Sequence, residues 1–445
     1  MNKDLTVGSP RKVLWLYALP LLGSIIFQQL YNVADSLVAG KFIGENALAA
    51  VGNASEITFI YTAFAMGCNI GCSVVISQLF GSKKFKHMKT AISTAFIAFG
   101  VLCAGLMLFG FLCTKPLLHA MHTPGEIFGD SLLYLEIYTL GMPFVFFYNV
   151  ATGIFSAMGD SKTPLYYLAF SSVSNILVNI LFVETFRMGV EGVAYATLVC
   201  QGISCILSVG TLVKRLKGIK TEGKAALFSA DLLKKIIRIA VPSIMQQSFI
   251  SVGNIIVQGV VNGFGPGVIA GFTAAIKLNT IATSCFMAIA NGVSTFTAQN
   301  IGAGKIERVK AGHKEGVILG ELMSAPLIIM FVIFGSTMVG IFMSEGSSSP
   351  EALAAGMQFL QIVAPFYVAI SIKIITDGVL RGSGAVHLFM ISTFGDLILR
   401  VALAVILPNF IDVYGVWFSW PIGWMAGTAL SVGMYVRGTW KNASI

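Results

Sequence analysis

Of the 445 residues, 56% are hydrophobic and only 11% charged, and the mean hydropathy is +0.82. Soluble domains carry about 25% charged residues, so this composition excludes a water-soluble protein and points to a polytopic membrane protein. A formal charge of +9 could suit nucleic acid, but the Lys and Arg sit in short segments between apolar runs, which is a topology signal and not a nucleic-acid patch.

A spanning helix takes about 20 apolar residues. Apolar runs stand at 13–38, 48–80, 88–113, 128–156, 164–185, 190–213, 233–261, 272–301, 315–343, 352–380, 386–407 and 414–436, which predicts an all-α protein of twelve transmembrane helices. The first run follows a basic start, as a signal peptide would. It is too long and lacks an A-x-A site, so it reads as a retained helix. Starting from the inside, the alternate connections hold 23 of the 29 Lys and Arg, against Lys41, Lys115 and Arg187 in the others. That bias puts both termini in the cytoplasm. All seven cysteines lie in or beside apolar runs. Cys68 and Cys72 are one turn apart, with no His or further Cys to join them, and read as packing residues. No metal site or cofactor is expected. No G-x-x-x-x-G-K-[ST] loop is present, so direct ATP use is not expected and transport, not catalysis, is the reading.

The two halves repeat. GCSVVISQLFGSKK (71–84) aligns with GVSTFTAQNIGAGK (292–305) at an offset of 221, matching Gln78 with Gln299 and Lys84 with Lys305. Pro20 meets Pro242, Gly153 and Gly159 meet Gly378 and Gly384, and Gly192 meets Gly415. Six helices duplicated enter from the same side, giving two six-helix bundles related by a parallel pseudo-two-fold axis. The expected division is residues 1–213, a basic linker 214–232, and residues 233–445. The Gly67-x-x-x-Gly71 pair reads as a helix-packing surface.

Polar residues inside the runs mark candidate sites. An ionised Asp35 in hydrocarbon costs roughly 2.5–3.5 kcal/mol on insertion scales. Gln28, Asn32 and Asp35 share one helix face, and Asn175 and Asn179 share another, with Ser171 and Ser172 a turn earlier. Facing each other, they would form a polar pocket in the first half. Asn32 has a counterpart in Asn254, but Asp35 corresponds to Val257, so the acid serves one half only. In the second half Gln246, Lys277, Lys373, Asp396 and Arg400 are the polar and charged candidates. Asp396 and Arg400 are four apart and read as an intrahelical ion pair, with Lys277 and Lys373 free to meet Asp396 or a substrate. Asp377, near Arg381, reads as a cytoplasmic latch. Pro20 and Pro242 are candidate hinges. Tyr31, Tyr61, Tyr138, Phe147, Phe286 and Met287 are candidate lining for flat, lipophilic cations.

The duplication, together with YNVADSLVAGKFIG, STFTAQNIGAGK and DGVLRGSG, resembles the multidrug and toxic compound extrusion (MATE) family of bacterial transporters. The resemblance implies two lobes around a V-shaped cavity and export of drug-like compounds from the cytoplasm of a bacterium, across its inner membrane, by antiport. It also implies that the first-helix aspartate, Asp35, is the proton-coupling site. Many proton-coupled relatives carry an acid where Asn179 stands, and the sodium-coupled branch carries one on the seventh helix, where Gln246 and Gln247 stand. Protons are therefore expected as the coupling ion and sodium less so, with a monomer in the bilayer as the working form. The alternative is a flippase for an anionic lipid-linked precursor, its pyrophosphate held by Lys277, Lys373 and Arg400. A channel is disfavoured by the absence of a filter-like loop.

Overall fold

A computed structural model describes residues 3–38, 42–341 and 349–442; the side chains of residues 30–38, Glu45, Glu56 and Asn442 lie outside the described residues. Hydrocarbon leaves no water for backbone groups, so the chain satisfies them internally, and among the described residues it forms helices and no strands. The first half contains α1 (Pro10–Val38), α2 (Glu45–Gly81), α3 (Phe85–Ala120), α4 (Gly125–Ala157), α5 (Lys162–Ile180) and α6 (Val190–Gly218). The second contains α7 (Ala230–Val261), α8 (Pro266–Gly302), α9 (Ile306–Ile341), α10 (Pro350–Val363), α11 (Tyr367–Ser383), α12 (Val386–Ile406), the short α13 (Pro408–Ile411) and α14 (Tyr414–Arg437). A 3-10 turn at Ala364–Phe366 splits one predicted span into α10 and α11.

Eleven stretches among the described residues are long and apolar enough to cross a membrane. The predicted twelfth, α14, has 24 residues, about 36 Å, and so has the length. Its Trp, Tyr, Pro and Gly residues lower its hydropathy. Trp417, Trp420 and Trp424 bury that aromatic surface against Phe272, Phe359 and Tyr367, so α14 presents protein, not lipid, to its indoles.

By packing, the chain divides into two compact units. The first comprises Met1–Asp4 and Pro20–Ile244, and the second Leu5–Leu19 and Met245–Ile445. Each unit therefore divides a long helix, α1 near Pro20 and α7 just after Pro242, and those two prolines are repeat partners. In the first unit Gly67 and Gly71 lie against Ile244 and Ala240. A Cβ on Gly71 would stand 2.7 Å from the Ala240 Cβ, so this pair is a close-packing surface as its spacing predicts.

The duplication extends to single contacts. Gly153 packs on Asn69 and Gly378 on Ala290, and both pairs obey the repeat register. After α2 the chain turns through a left-handed Lys83 (φ 57°), and after α8 through its counterpart Gly304 (φ 70°). Gly159 and Gly384 turn the same way at φ 77° and 92°. Conformations that most side chains avoid are thus kept twice.

Candidate functional site

In the first unit the amide ladder on α5 is present and buried. Asn179 Nδ2 donates to Asn175 Oδ1 at 2.9 Å, and Asn175 Nδ2 lies 3.5 Å from Thr197 Oγ1 on α6. Ser172 Oγ donates to the Phe27 carbonyl at 3.2 Å, which fastens this face of α5 to α1 beside Gln28. Gln28 is half-buried. Helix α1 runs on to Val38, but the side chains of Tyr31, Asn32 and Asp35 lie outside the described residues.

The equivalent node of the second unit carries charge instead. Asn175 and Asn179 correspond to Asp396 and Arg400 on α12. With the register set by Gly192 and Gly415, Thr197 corresponds to Trp420 on α14. The expected Asp396–Arg400 pair does not form. Lys373 of α11 takes the acid instead, its Nζ 3.6 Å from Asp396 Oδ2 and 3.0 Å from Asp377 Oδ2. Arg400 Cζ lies over the Trp420 ring, 4.2 Å from its centroid. An i, i+4 spacing permits a pair within one helix, but a buried ammonium shared between two carboxylates outcompetes it.

Asp377 is not a cytoplasmic latch. It is buried, and its Oδ1 accepts from Ser392 and Ser431 hydroxyls, each at 2.6 Å, so with Lys373 it has three donors. Arg381 is buried too and donates to Asn291 Oδ1 at 2.7 Å. Space for the cluster comes from α14. A Cβ on Gly427 would meet Lys373 Cε at 2.6 Å, and one on Gly423 would meet Asp396 Oδ1 at 2.9 Å. Three buried cations, Lys373, Arg381 and Arg400, face two buried acids, which leaves one positive charge in excess. Asp396 Oδ1 and Arg400 Nε make no hydrogen bond among the described residues.

Lys277 does not join this cluster and is exposed on α8. Gln246 is buried on α7. Phe286 packs against Tyr367 in the aromatic core of the second unit, and so does not line a cavity. Cys68 and Cys72 are fully buried on α2.

The profile of the MatE family matches the chain twice, over residues 20–181 and 242–406. The chain belongs to the MatE family. The second match begins at Pro242, the repeat partner of Pro20, so the duplication read from glycines and prolines is the duplication of the family. The chain is similar to a probable multidrug resistance protein, YpnP of Bacillus subtilis, at 29% identity, covering 98% of this chain and 97% of the relative. Its fold superposes with a TM-score of 0.91 on a MOP superfamily transporter from Pyrococcus furiosus, at 23% identity with 98% and 97% coverage; that protein is described as having a binding pocket of reverse polarity that suggests a different function. A second solved structure, an outward-facing multidrug resistance MATE family transporter, gives a TM-score of 0.90 at 22% identity, with coverage of 98% and 97%. As a MatE member with these helices, the chain is a multi-pass membrane transporter.

Two features of this MatE chain were missed in the sequence: the tryptophan face of α14 and its glycine slots. The alternation of Gly423 and Gly427 with Trp420 and Trp424 is the signal that could have found them.

Proposed function

We propose that the chain exports lipophilic, often cationic, drug-like compounds across a bacterial inner membrane in exchange for inward-moving protons, with Asp35 as the coupling group and both termini cytoplasmic. The observation that carries this reading is the repeat position of Asp35. Its counterpart on α7, Val257, is 1% exposed and packed in the core of the second unit. In the second half this register faces the interior of its own bundle, and we carry it over to Asp35 by the repeat. Burial raises the cost of a charged carboxylate, so proton uptake and pocket geometry become coupled there. The second unit supports the same assignment, because its buried acids Asp377 and Asp396 are already paired with Lys373. Protons taken from outside would discharge Asp35, let the helices repack about Pro20, and release the substrate.

Efflux of ethidium or a fluoroquinolone from energised vesicles tests the proposal. Asp35→Asn is expected to abolish proton-driven efflux at normal expression, and a sodium gradient alone should not drive it. Unchanged efflux in the variant would remove Asp35 as the coupling group. The excess positive charge at Arg400 favours a second reading, a flippase for an anionic lipid-linked precursor. Translocation of a fluorescent polyprenyl pyrophosphate, lost in Arg400→Gln, would replace drug export with that activity.

A further inference from the structure

On the first unit, an apolar cavity of about 520 Å³ lies where α3, α4 and α6 meet. Its walls are Phe96 of α3, Phe144 and Phe147 of α4, and Cys205, Ile206 and Val209 of α6. Pro143 of α4 also lines it; having no N–H, it cannot close the usual helical bond there. The Phe96 and Phe147 rings stack at 5.7 Å. Ile206 is 67% exposed, so the cavity opens at the surface of the unit. The size is that of a ligand site, about 300–1,000 Å³, but its lining offers no polar group to orient a drug.

The charges lie at one end of the same helices. Lys89 precedes Phe96 by seven residues and Lys217 follows Ile206 by eleven, so each shares a face with a wall residue, about 10 Å and about 16 Å along its helix. Lys89 Nζ donates to the Ile219 carbonyl at 2.7 Å, which ties the start of α3 to the end of α6 above the cavity. Beyond it, Lys214, Lys217, Lys220 and Lys224 share the stretch 214–224 with the single acid Glu222, while Arg215 is paired with Asp160. Lys217 and Lys220 are exposed, and so is Val213 on the Ile206 face.

We propose that this groove binds one anionic phospholipid of the leaflet on the linker side, its acyl chain in the cavity and its phosphate between Lys217 and Lys220. An all-apolar cavity at chain depth and a basic rim at headgroup depth are the two halves of such a ligand, and no soluble anion needs the lower half.

Native mass spectrometry of the detergent-purified chain titrated with phosphatidylglycerol or phosphatidylcholine tests this. Phosphatidylglycerol should saturate one site about tenfold more tightly than phosphatidylcholine. Lys217→Gln with Lys220→Gln should reduce its affinity to the phosphatidylcholine level. Val209→Trp, which fills the cavity, should weaken both lipids, and Ile206→Trp at the mouth is the second filling variant should the first not fold. Free glycerol 3-phosphate should not displace the lipid. Equal affinity for the two lipids, or an unchanged phosphatidylglycerol site in the filling variants, would overturn the proposal; displacement by glycerol 3-phosphate would make the rim a free-anion site and overturn it equally.

Discussion

Lys373 is the residue on which the buried charges of the second unit depend. Removing one partner of a buried pair leaves an uncompensated charge, at a cost of about 3–5 kcal/mol. Lys373→Met is therefore expected to lower thermal stability in detergent sharply, and adding Asp396→Asn should recover part of the loss. At the mouth of α5, Asp160 makes a different prediction. Its Oδ1 accepts from the Lys162 and Thr163 amides, each at 3.1 Å, and so caps the helix; its Oδ2 accepts from Thr163 Oγ1 and from Arg215. Burial alone would raise its pKa, but the Thr163 and Arg215 hydrogen bonds prevail and hold it below the ordinary 3.8. The folded state then binds this proton less tightly than the unfolded chain. Its stabilisation is complete above the unfolded pKa and is lost as pH falls through the folded one. Asp160→Asn should flatten the acid limb of a stability-against-pH curve and lower its neutral plateau, where the lost stabilisation is complete. The Asn175–Asn179 ladder was legible from its spacing because both partners lie on one helix. Lys373 was read as free to meet Asp396, and the packing of α11 on α12 realises that contact. Its i, i+4 partner Asp377 was assigned to Arg381 instead, because spacing alone does not show which of two nearby cations is buried with an acid.

The helices were legible in number because hydrocarbon imposes both length and apolarity. Two departures have physical causes. The span around residue 364 is broken by a 3-10 turn, and α14 replaces aliphatic residues with indoles that need protein neighbours. Glycines set how closely the elements approach. A Cβ at Gly378 would stand 2.6 Å from the Ala290 carbonyl oxygen, a backbone atom that cannot step aside. Gly378→Ala is expected to separate α11 from α8 and reduce the monodisperse yield in size-exclusion chromatography. Gly105→Ala, with nothing within 4 Å, should instead be neutral or stabilising by about 0.5–1 kcal/mol.

For the whole molecule the proposed antiport is energetically sufficient. One proton moving through 100 mV releases about 2.3 kcal/mol. Half a pH unit adds about 0.7 kcal/mol. Together they sustain a substrate gradient of about a hundredfold. The steady-state ratio of ethidium in energised vesicles should approach that value and collapse when a protonophore is added. The two packing units add a consequence for how the chain must be made. Each borrows a stretch that sequence order assigns to the other half: residues 230–244 in one direction, 5–19 in the other. A gene cut within the linker would thus encode two fragments, neither holding all the helix its own bundle uses. Synthesised in separate cells they should fail to mature, and synthesised side by side they should restore a working transporter.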